Sequence, residues 1–237
     1  MKAALYLIPV TLGNTPLDHV LPAYNAEVVR GIRHFIVEDV RSARRFLKQV
    51  DRSIDIDALT FYPMGKHADE AAFARYLAPL RAGEPMGVIS EAGCPAVADP
   101  GAQMVALARR EGLPVVALVG PSSILLSVMA SGFNGQSFAF HGYLPIDAAA
   151  RARRLRRLEE TARSENQTQL FIETPYRNAR MLADVLAACR PQTQLCIAAG
   201  LTTDAEWVRS MTVGEWHRAD VPDLSKTPAI FLLYRPR

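Results

Sequence analysis

The chain has 237 residues, of which 49% are hydrophobic and 22% are charged, with a formal net charge of +3; it can bury one large core or two smaller ones without structural metals or disulfides. No stretch reaches the roughly 20 apolar residues of a membrane span, and the apolar N-terminus, AALYLIPV, is shorter than a signal-peptide core with its cleavage site. Because the three cysteines, Cys94, Cys189 and Cys196, form no CxxC pair and their number is odd, a disulfide framework is disfavoured, and we expect a soluble protein of the reducing cytoplasm.

In the first half of the chain, short apolar runs alternate with segments of helical period. The predicted elements are, in chain order, the strands ALYLI and HFIVE, the helix SARRFLKQV, the strand ALTFY, the helix ADEAAFARYLAPLRAG, the strand MGVIS, the helix AQMVALARR, the strand PVVALV and the helix SSILLSVMA. This alternation of strands and helices along the chain predicts a mainly parallel sheet covered by helices.

The second half has a different texture. Its predicted elements are the strand SFAFHGYLP, the very basic helix AARARRLRRLEETAR, the strand TQLFIE, the helix NARMLADVLAACR, and the strands QLCIAAGL, WVRSMTV and AIFLLYR. Neighbouring strands without helices between them predict a mixed sheet. We therefore expect an α/β protein of two domains, residues 1–119 and 120–237, with a ligand in the cleft that separates them.

The loop SEAGCPAVADPG, residues 90–101, follows a predicted strand and precedes a predicted helix. In open α/β sheets, ligands bind beyond the carboxyl ends of the strands, where this loop falls. Gly93 lets the backbone approach a ligand closely. Asp99 as N-cap and Pro100 at the first helical position would start the helix. A well-capped connection without any ligand explains the same residues, and this alternative stays open.

Two further loops follow the same plan. In VVALVGPSSILLS, Gly120 and Pro121 turn the chain and Ser122 is a candidate N-cap, whereas PVTLGN places Leu12 just past the first strand. Neither GxGxxG nor GxxxxGK[ST] occurs, which argues against an ordinary dinucleotide or nucleoside triphosphate site. Three such loops in one domain predict a site for one extended small ligand.

Taken together, six segments resemble, in order and spacing, the tetrapyrrole methylase family of S-adenosylmethionine-dependent methyltransferases. They are LYLIPVTLGN, VEDVRSARRFL, SEAGCPAVADPG, VGPSSI, SGFNGQSFAFHGYLP and FIETPYR. The resemblance is greatest to a branch that methylates a ribose 2′-hydroxyl of small-subunit ribosomal RNA. It implies the two-domain class III methyltransferase fold, a cofactor bent into the cleft, and a homodimer. Members of that branch carry extra helical sequence after the last strand, so this chain is expected to be a short form.

The resemblance also implies which residues contact S-adenosylmethionine. These are Leu12 in the first loop; Ala92, Gly93, Cys94 and Val97 in the second; Ser122 and Ser123 in the third; and Glu173, Leu201, Pro228 and Ala229 in the second domain. The loop PVTLGN lacks the glycine-rich form of corrin and sirohaem enzymes, which favours RNA over a tetrapyrrole as the acceptor.

Methyl transfer to a ribose hydroxyl needs close positioning of donor and acceptor and removal of the hydroxyl proton, which a carboxylate can accept. Glu38, next to Asp39 after one predicted strand, and Glu173 at the end of another are the candidates. Helix capping and ion pairing with Arg41 or Arg177, which are common structural roles of carboxylates, are the alternative.

The basic helix carries Arg153, Arg154, Arg156 and Arg157. Guanidinium groups bind phosphate oxygens bidentately, so this helix is a candidate grip on the RNA backbone. A solvated helix face, partly balanced by Glu159 and Glu160, is the alternative.

The remaining polar residues suggest no further chemistry. The five histidines, His19, His34, His67, His141 and His217, show no metal-ligand spacing, so we expect no metal. The sequence names no base for Cys94 as a nucleophile. Apart from RNA methylation, methyl transfer to a tetrapyrrole or another small molecule, and a cofactor-binding module without turnover, remain open.

Overall fold

The computed structural model describes residues 1–64 and 72–236. They form two compact units, Met1–Ser122 and Ser123–Arg237. Each unit contains its own five-stranded sheet.

The sheet of the first unit is parallel throughout. Its strands are β1 (Leu5–Leu7), β2 (His34–Val37), β3 (Thr60–Pro63), β4 (Met86–Ile89) and β5 (Val115–Ala117), in the order β3-β2-β4-β1-β5. In the register, Tyr6 lies opposite Gly87 on one side and Val116 on the other. Because the strands are parallel, their carboxyl ends share one edge of the sheet, where the three predicted ligand loops begin.

Both faces of this sheet are buried. Along β2, Phe35 and Val37 pack into one apolar cluster while Ile36 packs into the other, as the alternation of side chains along a strand requires. Gly87 in β4 has no room for a side chain, because a Cβ there would lie 2.8 Å from Phe35 Cδ1. Helices on both faces therefore fix the sheet and the positions of its loops.

Six helices belong to the described part of the first unit: α1 (Leu17–Val20), α2 (Ala23–Arg30), α3 (Val40–Val50), α4 (Phe73–Tyr76), α5 (Ala78–Arg81) and α6 (Ala102–Arg110). The single helix predicted for residues 68–83 is wrong in its described part, which holds two short helices. The reason is Pro79, which has no N–H for the carbonyl four residues earlier and whose ring clashes with that carbonyl. Residues 65–71, including His67, lie outside the described residues.

The second unit has a mixed sheet. Its strands are β6 (Phe138–Tyr143), β7 (Thr168–Glu173), β8 (Gln194–Ala199), β9 (Trp207–Thr212) and β10 (Ala229–Tyr234), in the order β6-β7-β10-β8-β9. β6 is parallel to β7, whereas β10 is antiparallel to both β7 and β8. The carboxyl ends of β6, β7 and β8 thus lie at the same edge as the start of β10.

The described helices of the second unit are α7 (Ser123–Ser131), α8 (Ala148–Ser164), α9 (Asn178–Ala188) and α10 (Val213–Trp216). Asp147 caps α8 by accepting a hydrogen bond of 2.8 Å from the backbone N–H of Ala150. Arg151 in α8 is buried and its Nη2 lies 2.6 Å from Asp184 Oδ2 of α9, so an ion pair joins these two helices. No helix among the described residues is both long and apolar enough to cross a membrane.

The predicted α/β class, with a parallel sheet in the first half and a mixed sheet in the second, is confirmed by these two sheets.

Candidate active site

Three loops of the first unit meet at the carboxyl edge of its sheet, namely those after β1, β4 and β5. Val10 of the first loop donates a backbone hydrogen bond of 2.9 Å to the Gly93 carbonyl of the second. The Cys94 thiol of the second loop donates to the Pro121 carbonyl of the third, with a sulfur–oxygen distance of 3.3 Å. Adjacency of β4, β1 and β5 in the sheet is what brings these segments together.

Two glycines allow this close approach. A Cβ at Gly93, whose φ is 68°, would lie 3.0 Å from Leu12 Cδ2 and 3.3 Å from the Pro121 carbonyl oxygen. A Cβ at Gly120 would lie 2.6 Å from Cγ of the Pro9 ring and closer still to its Cβ. The three loops are therefore in contact through backbone and small side chains.

The backbone of the 90–101 loop is unusual. Ala96 and Ala98 have φ values of 67° and 61°, in the left-handed region, which costs an L-residue with a Cβ roughly 1–2 kcal/mol. The Ala96 N–H donates to the Pro100 carbonyl over 3.2 Å and holds this shape. Strained residues of this kind persist where the surrounding structure determines them, and they cluster at ligand sites.

The prediction that Asp99 caps the following helix is wrong. Helix α6 begins at Ala102, its N-cap is Gly101 with a φ of 128°, and no side chain caps it. Pro100 is part of the loop, since its carbonyl accepts the hydrogen bond from Ala96. Asp99 therefore makes no capping hydrogen bond to α6.

Asp99 is instead a half-buried carboxylate inside the loop. Burial raises its pKa above the ordinary value, the nearby Glu91 charge raises it further, and the Ser90 hydroxyl offsets part of the rise. That hydroxyl is buried and makes no hydrogen bond of ordinary length within the described residues. Burial, followed by the Asp99 charge, also raises the pKa of the Cys94 thiol. Cys94 is therefore a protonated donor that packs the loops together and not an activated nucleophile.

The predicted cofactor residues of the first unit all lie on these loops. Gly93 is buried and Leu12, Cys94 and Ser122 are partly buried, whereas Ala92 and Val97 are exposed. Ser123 is the first residue of α7, which leaves Ser122 at the N-cap position that the sequence predicted for it.

The predicted cofactor residues of the second unit also gather at one sheet edge. Ala229 at the start of β10 lies opposite Glu173 on one side and Ala199 on the other. The Gly200 N–H donates to the Pro228 carbonyl over 3.1 Å, so Leu201 lies next to this pair.

The Glu173 carboxylate is fully engaged. Its side chain is only 3% exposed, and one oxygen lies 3.0 Å from Nη2 of Arg177. The other oxygen accepts a 2.8 Å hydrogen bond from the Thr174 N–H. These contacts are those of a residue that anchors the turn after β7.

The neighbouring carboxylates Glu38 and Asp39 have different roles. Asp39 caps α3 by accepting a 2.7 Å hydrogen bond from the Ser42 N–H, which lowers the pKa of its carboxyl group. Oε2 of Glu38 accepts a 3.2 Å hydrogen bond from the backbone N–H of Glu91. Glu38 therefore links the end of β2 to the start of the 90–101 loop.

A polar pocket that sequence reasoning missed lies beside these loops. With a volume of about 320 Å³, it is enclosed by the loop after β1, by α3 and by the end of β4, and its lining includes Asn14, Ser42, Arg45, Gln49 and Glu91. The segments TLGN and SARRFLKQ carried the signal, but nothing in the sequence showed that β4 lies beside β2 and brings them together.

The arginines of α8 divide into two groups. Arg153, Arg156 and Arg157 are exposed. Arg154 is partly buried, and its Nη2 lies 3.0 Å from Nδ1 of His141. Three of the four predicted RNA-binding arginines thus face solvent, whereas Arg154 packs against β6.

The histidines make ordinary structural contacts where they are buried. Nε2 of His34 lies 2.9 Å from Oε2 of Glu84. Nε2 of His141 lies 2.7 Å from Oε1 of Gln169, and burial lowers the pKa of His141. Within the described residues, no group of three or more His, Cys, Asp and Glu side chains could hold a metal ion.

Comparison with known families matches residues 7–216 to the family described as Tetrapyrrole (Corrin/Porphyrin) Methylases. The chain belongs to the tetrapyrrole methylase family. The match spans all three loops of the first unit and most of the second, so the resemblance carried by the six sequence segments is confirmed, and with it the prediction of a methyltransferase.

Two relatives and one solved structure extend this comparison. Ribosomal RNA small subunit methyltransferase I from Pseudomonas aeruginosa is 29% identical over 213 residues, which are 90% of this chain and 71% of that protein. The protein of the same name from Micromonospora olivasterospora is 35% identical over 205 residues, which are 86% of this chain and 61% of that protein. The chain thus spans between 61% and 71% of the length of these two relatives.

The solved structure is uroporphyrin-III C-methyl transferase from Thermus thermophilus, complexed with S-adenyl homocysteine. Its fold matches this tetrapyrrole methylase with a TM-score of 0.57, over 98% of this chain and 97% of that one, at 19% sequence identity. At this identity the likeness shows the shared fold alone.

Proposed function

We propose that this protein transfers a methyl group from S-adenosylmethionine to a ribose 2′-hydroxyl of small-subunit ribosomal RNA. The observation that carries the proposal is the match, over about 90% of the chain, to relatives named ribosomal RNA small subunit methyltransferase I. The structural neighbour complexed with S-adenyl homocysteine, the demethylated product, supports the choice of cofactor.

The loops of the first unit fit this cofactor. They meet at Gly93 in a close backbone approach, and the half-buried Asp99 carboxylate lies near Cys94. A carboxylate in such a place favours a cation, and S-adenosylmethionine carries its methyl group on a positive sulfonium. The second-unit set, Glu173, Leu201, Pro228 and Ala229, stays a prediction.

The chemistry asks mainly for positioning. Holding donor carbon and acceptor oxygen in line can supply on the order of 7–11 kcal/mol of the barrier. The hydroxyl proton must also leave, and we propose Glu38 as its acceptor, because Glu38 lies at the carboxyl end of β2 and contacts the 90–101 loop. Glu173 is the weaker candidate, since Arg177 and Thr174 engage both its oxygens.

Single Glu38→Gln and Glu173→Gln variants separate these roles. Glu38→Gln is expected to lower kcat by roughly 10²–10⁴-fold with unchanged affinity for S-adenosylmethionine. Glu173→Gln is expected mainly to lower the free energy of unfolding. Full turnover in both variants would remove both carboxylates from the mechanism.

We further propose that the exposed arginines of α8, Arg153, Arg156 and Arg157, hold the RNA backbone. Their guanidinium groups make no ion pair within the described residues. The logarithm of RNA affinity is then expected to fall linearly with the logarithm of salt concentration, and replacing all three by Gln should reduce this slope by about 2. An unchanged slope would favour the solvated-face interpretation.

Transfer of labelled methyl groups tests the function directly. Purified protein would be given labelled S-adenosylmethionine with deproteinised small-subunit RNA, with intact small subunits, and with a tetrapyrrole acceptor, using RNA from a strain lacking the gene. Alkali-resistant label in RNA is expected, because 2′-O-methylation blocks cleavage of the adjacent phosphodiester. Label only in the tetrapyrrole would support the small-molecule alternative. Cofactor binding without any turnover would support a binding module.

Location and assembly belong to the same proposal. We propose a cytoplasmic homodimer, as the family resemblance implies and as a ribosomal RNA substrate requires of the compartment. Light scattering coupled to gel filtration measures the mass, and a monomer at micromolar concentration would contradict the dimer.

A further inference from the structure

The polar pocket beside the cofactor loops has no role in the function proposed above. It occupies about 320 Å³ at the carboxyl ends of β2 and β4, and its lining comes from three separate segments of the first unit. Polar side chains and backbone make up most of its wall, whereas a neighbouring groove of about 560 Å³, lined by Leu17, Leu21 and Val29 among others, is mostly apolar. Such a pocket suits a ligand that carries charge and hydroxyl groups.

Arg45 supplies the positive charge of the pocket. It is exposed on α3 and forms no ion pair or hydrogen bond within residues 1–64 and 72–236. Its neighbour Arg44 differs, because its guanidinium carbon lies 5.4 Å from the centre of the Phe61 ring. An uncommitted guanidinium at the wall of a pocket is a ready partner for phosphate oxygens.

Glu91 supplies a carboxylate on another wall. Its backbone N–H is held by the Glu38 carboxylate at 3.2 Å, and Ser42 Oγ lies 3.5 Å from its Oε1. The side chain is exposed, so hydrogen-bond acceptor capacity remains for a ligand. Arg45 and Ser42 lie one turn apart on α3 and therefore share one face of it.

The pocket adjoins the contacts assigned to the methyl donor, and α3 is the part of its wall that lies outside them. The sheet order is β3-β2-β4-β1-β5. The loops that meet at Gly93 follow β4, β1 and β5, and the loop after β1 and the start of the 90–101 loop also line the pocket, whereas its remaining wall is α3. Because Leu12 belongs to both places, a group bound against Arg45 and Ser42 on α3 would lie next to the donor.

We propose that this pocket binds the RNA nucleotide next to the acceptor, with Arg45 on its phosphate and Glu91 accepting a hydrogen bond from its 2′-hydroxyl. The inference rests on the proposed function and assigns its substrate a place. The volume is at the lower end of small-ligand sites and suits one sugar phosphate whose base extends into solvent. A nucleotide also matches the pair of opposite charges, because within RNA it carries an anionic phosphate and a neutral 2′-hydroxyl donor on one small frame.

Arg45→Gln and Glu91→Gln are the test variants, and Arg44→Gln is the matched control on the same helix. Arg45→Gln is expected to raise the KM for RNA by roughly ten- to hundredfold, as for loss of a charge-assisted hydrogen bond. The dissociation constant for S-adenosylmethionine, measured by calorimetry, should stay unchanged in all three variants. An unchanged KM, or an equal rise in Arg44→Gln, would overturn the assignment, and a loss of cofactor affinity would show that the pocket holds the donor instead.

A binding assay without turnover keeps the two proposals apart. Fluorescence anisotropy would measure the affinity of the wild type and the variants for a labelled RNA oligonucleotide and for DNA of the same sequence, at one fixed salt concentration. Arg45→Gln should weaken both, whereas Glu91→Gln should weaken RNA alone, because DNA lacks the 2′-hydroxyl. If the wild type transfers no methyl group to RNA but its affinity for RNA depends on Arg45, the proposed methylation of RNA is wrong and the proposed RNA-binding role of the pocket is supported. If the wild type methylates RNA and both variants bind like Arg44→Gln, the function stands and the pocket is wrong.

Discussion

Gly120→Ala tests whether close packing of the three loops creates the site. A Cβ at this position would fall 2.6 Å from Cγ of Pro9 and 3.3 Å from Cδ2 of Leu21. The Pro9 ring is bonded to its own backbone and cannot rotate away, so the third loop must move. Because Cβ of Pro9 would be closer still, restoring a carbon–carbon contact of about 3.5–4.0 Å requires a shift of more than about 1 Å between the loops after β1 and β5.

The size of the effect follows from that shift. Overpacking of this kind costs about 1–3 kcal/mol of folding free energy. A displacement of about 1 Å in a positioning loop can lower the rate of a reaction roughly 100-fold. Gly120→Ala is therefore expected to fold, to lose a few kcal/mol of stability at most, and to lose most of its methyl transfer.

Urea unfolding gives the stability, and calorimetry with S-adenosylmethionine gives the integrity of the loops. Gly135→Ala is the control, since a Cβ there meets only Val128 Cγ1, at an ordinary 3.5 Å. The reasoning is refuted if Gly120→Ala binds the cofactor and transfers methyl groups as well as Gly135→Ala does.

Three further variants test individual interactions in the site. Glu173→Gln keeps the side-chain shape but removes the charge that pairs with Arg177, so urea unfolding should show a loss of about 1–3 kcal/mol; an unchanged free energy would mean that the pair contributes nothing. Burial raises the pKa of Asp99 above 3.8, so the folded state binds more protons there than the unfolded state, and this group's contribution to stability falls as pH rises from 3.8 through the raised pKa. Asp99→Asn should lack that fall and be at least as stable at pH 7, and a variant with the wild-type pH profile would contradict this. Ala96→Gly should unfold with an unchanged free energy or gain up to about 1 kcal/mol, whereas Ala106→Gly, at an exposed position of α6, should lose about 1 kcal/mol; equal losses would argue against strain at Ala96.

Elements with strong local patterns could be predicted from the sequence. Helix α6 covers the predicted apolar segment, Ala102–Arg110, because its apolar period is regular, although the start predicted at Pro100 is wrong. Helix α2 was not predicted. One side of this helix buries Asn25. Its Nδ2 donates a hydrogen bond of 2.8 Å to the carbonyl oxygen of Val119, which lies 94 residues further along the chain. A polar residue that finds its partner so far along the chain leaves no local apolar pattern to recognise.

The site shows the same division between local and distant information. Loops that follow strands could be located from glycine, proline and serine, and their order matched a family. The conformation of the 90–101 loop could not be predicted, because Ala96 and Ala98 adopt φ values that local preference disfavours and that the folded loop maintains through hydrogen bonds such as the one from Ala96 to Pro100. Asp99 illustrates the consequence, since a residue with the right type and spacing for an N-cap has a different role once the helix starts at Ala102.

These observations suggest how the chain divides the work of methyl transfer. Where the loops meet, the contacts are backbone carbonyls, glycines and the Cys94 thiol, and the half-buried Asp99 carboxylate lies beside them, so shape together with one negative charge would select the donor there. Charged side chains with capacity to bind lie to one side, at Arg45 and Glu91. A site built this way can change its acceptor by substitution on α3 without disturbing the packing that holds the donor. On this reasoning, relatives that share the fold but act on other acceptors should differ most at the pocket and least at Gly93 and Gly120, where an added Cβ would crowd Leu12 and Pro9 respectively.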